Sequence, residues 1–107
     1  MAIAQYDIVL VNLDPTIGSE IKKTRPCVII SPDELNTHLR TIVVAPMTTK
    51  SHEYPTRLKI KHNKQIGWVV MDQIRTIDKK RITKHLGKLT LKEIAGCKDI
   101  IRETFVD

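Results

Sequence analysis

Between two apolar stretches the chain carries Gly18-Ser19-Glu20-Ile21-Lys22-Lys23-Thr24-Arg25-Pro26, which packs three cations, one carboxylate and two hydroxyls into nine residues. A polar loop held between strands can gather phosphate-binding and proton-transferring groups at one spot. A second polar cluster, Thr48-Thr49-Lys50-Ser51-His52, follows another apolar run. Brought together, the two clusters would suit a phosphodiester. Cleaving RNA without metal needs a group to take the 2′-OH proton and an acid for the leaving 5′-oxygen. It also needs cations or N–H donors for the charge of the pentavalent phosphorane. Arg25 suits phosphate contact, because a guanidinium binds two oxygens at once and Pro26 with the following strand would hold its backbone. Glu20 can orient Arg25 or share in proton transfer, and Thr48 can donate to a phosphate oxygen. The competing reading is a solvated basic loop with a surface ion pair.

Other polar positions carry the same two readings. In Asp72-Gln73-Ile74-Arg75, strand alternation would put Gln73 and Arg75 on one sheet face. There they would contact a base edge and a phosphate, or simply form an exposed strand face. Lys79-Lys80-Arg81 reads as a solvated turn. Trp68, the sole Trp, is expected in the core. His38, His52, His62 and His85 are scattered without metal-ligand spacing, and no Walker-type or Gly-x-Gly-x-x-Gly loop occurs, so neither metal nor cofactor is implied. Cys27 and Cys97 lack Cys-x-x-Cys spacing and read as buried thiols.

The composition sets limits. The 107 residues suffice for a single domain, 1–107. The 18 Lys and Arg against 12 Asp and Glu give a formal net charge of +6. That charge is compatible with a nucleic-acid partner and equally with solvated surface lysines. With aromatic residues at only 4%, a nucleic-acid surface is expected to work through phosphates and hydrogen bonds, not as a stacking platform. No apolar run is of signal-peptide type or long enough to span a membrane, so a cytoplasmic location is expected.

The elements that must position these groups are mostly strands. Tyr6–Leu13 reads as a strand ended by Asp14-Pro15, and Pro26 opens the next, Cys27–Ser31. Ser31-Pro32-Asp33-Glu34 starts a short helix with a capping box. Thr41–Ala45 is a strand closed by Pro46, and Met47–Pro55 a long polar loop. Arg57–Ile60 alternates, Gly67–Met71 is continuously apolar, Asp72–Ile77 alternates, and Ile82–Leu89 is a short strand. Thr90–Phe105 is a helix with Thr90 and Glu93 as its capping box and Leu91, Ile94, Cys97, Ile101 and Phe105 on one face. The expectation is an α+β, mainly β fold: a small β-barrel with a short internal helix and a C-terminal α-helix.

In order along the chain stand Tyr6–Val11, Gly18-Ser19-Glu20 with Arg25-Pro26, Val43–Thr49 with its Pro-Met-Thr-Thr, Tyr54-Pro55-Thr56, and Gly67–Thr76 with its Asp-Gln-Ile-Arg. Together they resemble the MazF/PemK-type toxins over nearly the whole chain. That resemblance implies an SH3-like barrel, a homodimer, and a type II toxin–antitoxin endoribonuclease. Such an enzyme cuts single-stranded RNA at short sequences, without ribosome or metal, leaving a 2′,3′-cyclic phosphate and a 5′-hydroxyl. It also implies an antitoxin whose disordered C-terminal segment wraps the dimer and blocks the RNA groove. Carried over by position, the catalytic residues are Arg25 and Thr48, Glu20 matches the loop Glu, and Ser19 and Gln73 match RNA-binding positions; Thr49 and His52 of the second polar cluster and Arg75 of the Asp-Gln-Ile-Arg segment are the further RNA-binding candidates. Arg25 then serves charge stabilisation, since a guanidinium holds its proton too firmly to be a ready base. Two rivals remain: a CcdB-like gyrase poison acting by protein binding, and a non-catalytic RNA-binding barrel. The first is associated with a Trp at the C-terminal helix end, where this chain has Glu103-Thr104-Phe105-Val106-Asp107.

Overall fold

A computed structural model describes residues 2–106. The elements run β1 (Asp7–Asn12), β2 (Thr24–Ile29), α1 (Asp33–His38), β3 (Thr41–Thr48), β4 (Arg57–His62), β5 (Gln65–Val70), β6 (Arg75–Asp78), β7 (Ile82–Lys88) and α2 (Leu91–Ile101). Single 3-10 turns at Met71–Gln73 and Lys79–Arg81 flank β6, and π-helical turns over Arg102–Val106 continue α2. All pairings are antiparallel, in the order β4-β5-β3-β2-β1-β7, with β6 also on β3. The sheet curls into a half-barrel, the mainly β architecture with two helices that the sequence leads one to expect.

Strands β1 to β3 are apolar on both faces, and both faces are used. Ile8, Val28, Ala45 and Met47 join Ile60, Val69 and Cys97 in one buried cluster, against which Ile94, Ile100 and Ile101 of α2 pack. Val9, Val11, Cys27, Ile29 and Val44 join Ile42 and Ile77 in a second. Successive strand residues point to opposite faces, so a strand buried on both sides needs a near-continuous apolar run. Strand β4 shows the one-sided case, with Ile60 buried and Lys59 and Lys61 exposed.

Four local expectations are corrected. Strand β2 starts at Thr24, so Pro26 lies within it, opposite Leu10. Strand β3 does not stop at Pro46 but runs to Thr48. Pro46 sits where β3 passes from pairing with β2 to pairing with β5 (Cys27↔Pro46, then Met47↔Val69), a handover that tolerates a missing N–H. The Ser31 capping box does not form. Pro32 is the N-cap, and Ser31 Oγ instead donates to Asn36 Oδ1 (2.5 Å) and accepts from Val43 N (3.0 Å). Both side chains are buried, and these bonds, with Asn36 Nδ2 donating to Ser31 O (2.8 Å), satisfy them while tying α1 to β3. Finally, α2 has its capping box, Thr90 Oγ1 accepting from Glu93 N and Glu93 Oε1 from Thr90 N, but a narrower apolar stripe. Leu91 is 87% and Phe105 56% exposed. The wider π turns rotate Phe105 off the stripe.

Candidate functional site

Because β2 begins at Thr24, Arg25 is held by a strand, paired with Val11, and not by the loop. Cys27 faces Pro46 across β2 and β3. Beyond that pair β3 leaves β2 for β5, so Arg25 and Thr48 are brought near each other by adjacent strands without being a ladder pair. Both border a cavity of about 100 Å³, together with Thr49, His62 and Gly67. Arg25 Nε donates to Lys22 O (3.2 Å), fixing the base of the guanidinium. Thr48 Oγ1 accepts from Lys50 N at 3.2 Å, while its own O–H reaches Lys50 O only at 3.4 Å. The hydroxyl is positioned, and its proton is loosely engaged.

His62 is the cavity residue that sequence reasoning passed over. It ends β4 opposite Gln65, across the two-residue turn Asn63-Lys64, whose φ values of 51° and 64° are those of a tight hairpin. Its Nε2 is shielded from solvent and has no hydrogen-bond partner. Strand β7 passes close by: a Cβ at Gly87 would lie 3.4 Å from His62 Cε1.

Ser19 and Glu20 stand on the β1–β2 loop, exposed and outside the cavity lining. Glu20 Oε1 accepts from Ile17 N (2.5 Å), closing a turn in which Gly18 takes φ +57°. Gln73 and Arg75 do not share a sheet face: Gln73 ends the 3-10 turn and β6 begins at Arg75. Both brace the loop instead. Gln73 Oε1 accepts from Ile21 N (2.7 Å) and its Nε2 donates to Ser19 O (3.4 Å). Arg75 Nη1 donates to Leu13 O (3.1 Å).

The second polar cluster is anchored by residues not singled out from sequence. Arg57 Nη1 donates to Ser51 Oγ (2.8 Å), and its Nε and Nη2 pair with the Asp72 carboxylate, each at 3.3 Å. Thr56 Oγ1 donates to the same carboxylate (2.9 Å). Burial alone would raise Asp72, but the hydrogen bonds from Arg57 and Thr56 outweigh it and hold the carboxyl below its ordinary value. His52 is exposed and meets the Tyr54 ring edge-on, 6.4 Å between centroids. Arg57 and Asp72 are 15 residues apart, and only the β4–β5 register (Arg57↔Val70) makes them neighbours.

Trp68 is not a core residue. It is half-buried and belongs to neither apolar cluster. It faces Thr48 on one side and Lys59 on the other. Cys27 and Cys97 are buried, and burial pushes both thiols up to about 12, leaving them inert near neutrality. Among the described residues, no three His, Cys, Asp or Glu gather as a metal site, and no helix is long and apolar enough to cross a membrane.

The sequence and the fold have counterparts among known proteins. The chain is 34% identical over 103 residues to the endoribonuclease MazF of Staphylococcus saprophyticus, covering 88% of this chain and 86% of that protein. Its fold matches the crystal structure of MazF from Deinococcus radiodurans with a TM-score of 0.85 at 21% identity, over 96% of each chain. It also matches an endoribonuclease solved in complex with its cognate antitoxin from a mycobacterial species, with a TM-score of 0.81 at 20% identity, over 95% of this chain and 93% of that one. At those identities the two structures speak for the fold alone. A family model, described as PemK-like, MazF-like toxin of type II toxin-antitoxin system, matches residues 4–105. With that match spanning nearly its whole length, the chain belongs to the PemK-like, MazF-like toxins of type II toxin–antitoxin systems.

Proposed function

We propose that this protein is a toxin that cleaves single-stranded RNA endonucleolytically, in the cytoplasm, without a metal ion. The observation that carries the mechanism is the convergence of Arg25 and Thr48, from two adjacent strands, on one small cavity. The 2′-oxygen attacks the adjacent phosphorus, the P–O5′ bond breaks, and a 2′,3′-cyclic phosphate and a 5′-hydroxyl result. Arg25 offers a planar fork of donors to the phosphorane oxygens, and Thr48 adds a hydroxyl donor. The 2′-OH proton must be taken and the 5′-oxygen must receive one. Glu20 is the carboxylate for this work once its loop turns from Ile17 N towards the substrate. His62, unpartnered at the same cavity, is the imidazole at hand. Ser19, Thr49, His52, Gln73 and Arg75 line or brace the RNA path.

The mycobacterial fold relative was solved with its antitoxin. By the same logic, this chain works as a homodimer and is silenced by an antitoxin whose disordered C-terminal segment covers the RNA groove.

The test is incubation of the purified protein with single-stranded RNA in EDTA, with mapping of both product ends. Cyclic-phosphate and 5′-hydroxyl ends are expected. Intact RNA, or cleavage that needs an added divalent ion, would overturn the reading.

A further inference from the structure

From Thr48 a row of paired residues runs on across the sheet. Thr48 faces Trp68 on β5, and Trp68 faces Lys59 on β4. Residues directly opposite in an antiparallel pair share a sheet face. Thr48, Trp68 and Lys59 therefore project together, while their neighbours Met47, Val69 and Leu58 turn to the apolar cluster under α2. Lys59 Nζ lies 5.8 Å from the centre of the Trp68 ring, as a shared face requires. Strands stand ~4.8 Å apart, so the indole begins one strand spacing from the proposed phosphate-binding hydroxyl.

Beyond Trp68 the face opens into a groove of about 420 Å³, lined by Glu53, Tyr54, Pro55, Arg57, Lys59 and Trp68. Tyr54 is 48% exposed. Arg57 covers one face of its ring at 4.8 Å from the centroid, and Arg57 is itself clamped by Asp72 and Ser51. The groove thus has two aromatic rings, Trp68 on a strand and Tyr54 on a loop, each with a cation beside it. A base stacks on such rings whatever its identity, and the lysine and arginine attract the adjoining phosphates. Glu53 disfavours a phosphate inside the groove and can accept from the amino group of a base.

We propose that Trp68 and Tyr54, flanked by Lys59 and Arg57, form a base-stacking subsite for a nucleotide flanking the scissile phosphate of single-stranded RNA. The proposal rests on the ribonuclease reading for the word scissile. It departs from the expectation that so few aromatics preclude stacking: the rings are few, but two of them stand beside Thr48.

Trp68 is the only tryptophan, so its emission reports this groove directly. The probes are a mixed-sequence 2′-O-methyl strand, which lacks the attacking hydroxyl and cannot be cleaved, and an abasic strand of equal length. The base-bearing strand is expected to quench Trp68 emission, and the abasic strand to leave it nearly unchanged. In cleavage of RNA, Trp68→Ala is expected to raise KM about 5- to 150-fold, with a smaller loss in kcat, and Trp68→Phe to restore most of it. Should Trp68→Ala fold poorly by thermal melting, Tyr54→Ala, on an exposed loop, must show the same KM shift. Equal quenching by both strands, or an unchanged KM in Trp68→Ala and Tyr54→Ala, would overturn the subsite. Metal-free cleavage without base-dependent quenching would sink the subsite and leave the ribonuclease reading standing. Base-dependent quenching without cleavage would do the reverse.

Discussion

The β1–β2 loop and the cross-strand row from Thr48 to Lys59, with Arg25 on the neighbouring strand, are both crowded with polar groups, yet they are held in opposite ways. The loop is exposed from Ile17 to Glu20 and is kept by single side-chain-to-backbone bonds: Glu20 to Ile17 N, Lys23 N to Asp14, and Gln73 to Ile21 N. Each involves one backbone group and one side chain that water can replace. The row is set by strand register, with apolar clusters beneath it. Moving Thr48 relative to Trp68 means breaking a sheet ladder; moving Glu20 means breaking one surface hydrogen bond. Groups that must already be aimed when the phosphorane forms belong on the rigid element. Groups that shuttle protons or close over the substrate can sit on the loop that moves.

The largest effect should come from the rigid side. Arg25→Ala removes the charged donors to the phosphate and should lower single-turnover cleavage by on the order of 10³ or more, with thermal melting little changed. A variant that cleaves at the wild-type rate would take Arg25 out of the site. Thr48→Val, which keeps the branched shape of a strand residue, should cost on the order of 10²–10³. If it stays within a few-fold of wild type, the row contributes no hydroxyl donor.

A smaller change is expected on the loop side. Gln73→Ala frees Ile21 N and Ser19 O, at ~1 kcal/mol of local stability. We expect roughly ten-fold lower kcat/KM, carried mainly by KM, and faster proteolysis within 17–23. A loss as large as that of Arg25→Ala would mean that Gln73 touches the reacting groups and not only the loop.

The smallest effect concerns acid. The folded-state pKa of Asp72 is lowered, so its contribution is complete above the ordinary unfolded value, ~3.9, and fades as pH falls through the lower folded value. Its carboxylate is 36% exposed, so the contribution is modest. Trp68 emission should be flat from neutral pH down to about 4 and drift below it, and Asp72→Asn should remove the drift. A transition centred above that range would show that another group controls the hairpin.

How far the site could be read without the structure differs along the same divide. Strands β1 and β5 are plain from their β-branched runs, and the capping box of α2 from Thr90 and Glu93. Arg25 and Thr48 stood out as polar residues at the margins of apolar runs. That they are neighbours was hidden, because Pro26 and Pro46 read as strand boundaries when each lies within a strand. A proline at a pairing handover leaves the same local signal as one that ends a strand. Trp68 illustrates the same limit. Inside Gly67–Met71 every residue is apolar, and alternation cannot say which face is covered when the partner strands are unknown. Only the pairing with Thr48 and Lys59 turns the indole outward. His62 gave no signal at all, since its importance lies in what β7 and β3 bring beside it.

The central claim is that Arg25 and Thr48 act together on one phosphate because two adjacent strands carry them to one cavity. Single-turnover cleavage of one RNA in EDTA by Arg25→Lys, Thr48→Val and the double variant tests it directly. Arg25→Lys keeps the charge and loses the fork. If the two residues work as a unit, each single variant is slowed and the double variant loses clearly less than the product of the two losses. Losses that simply multiply, or a single variant as fast as wild type, would contradict the claim.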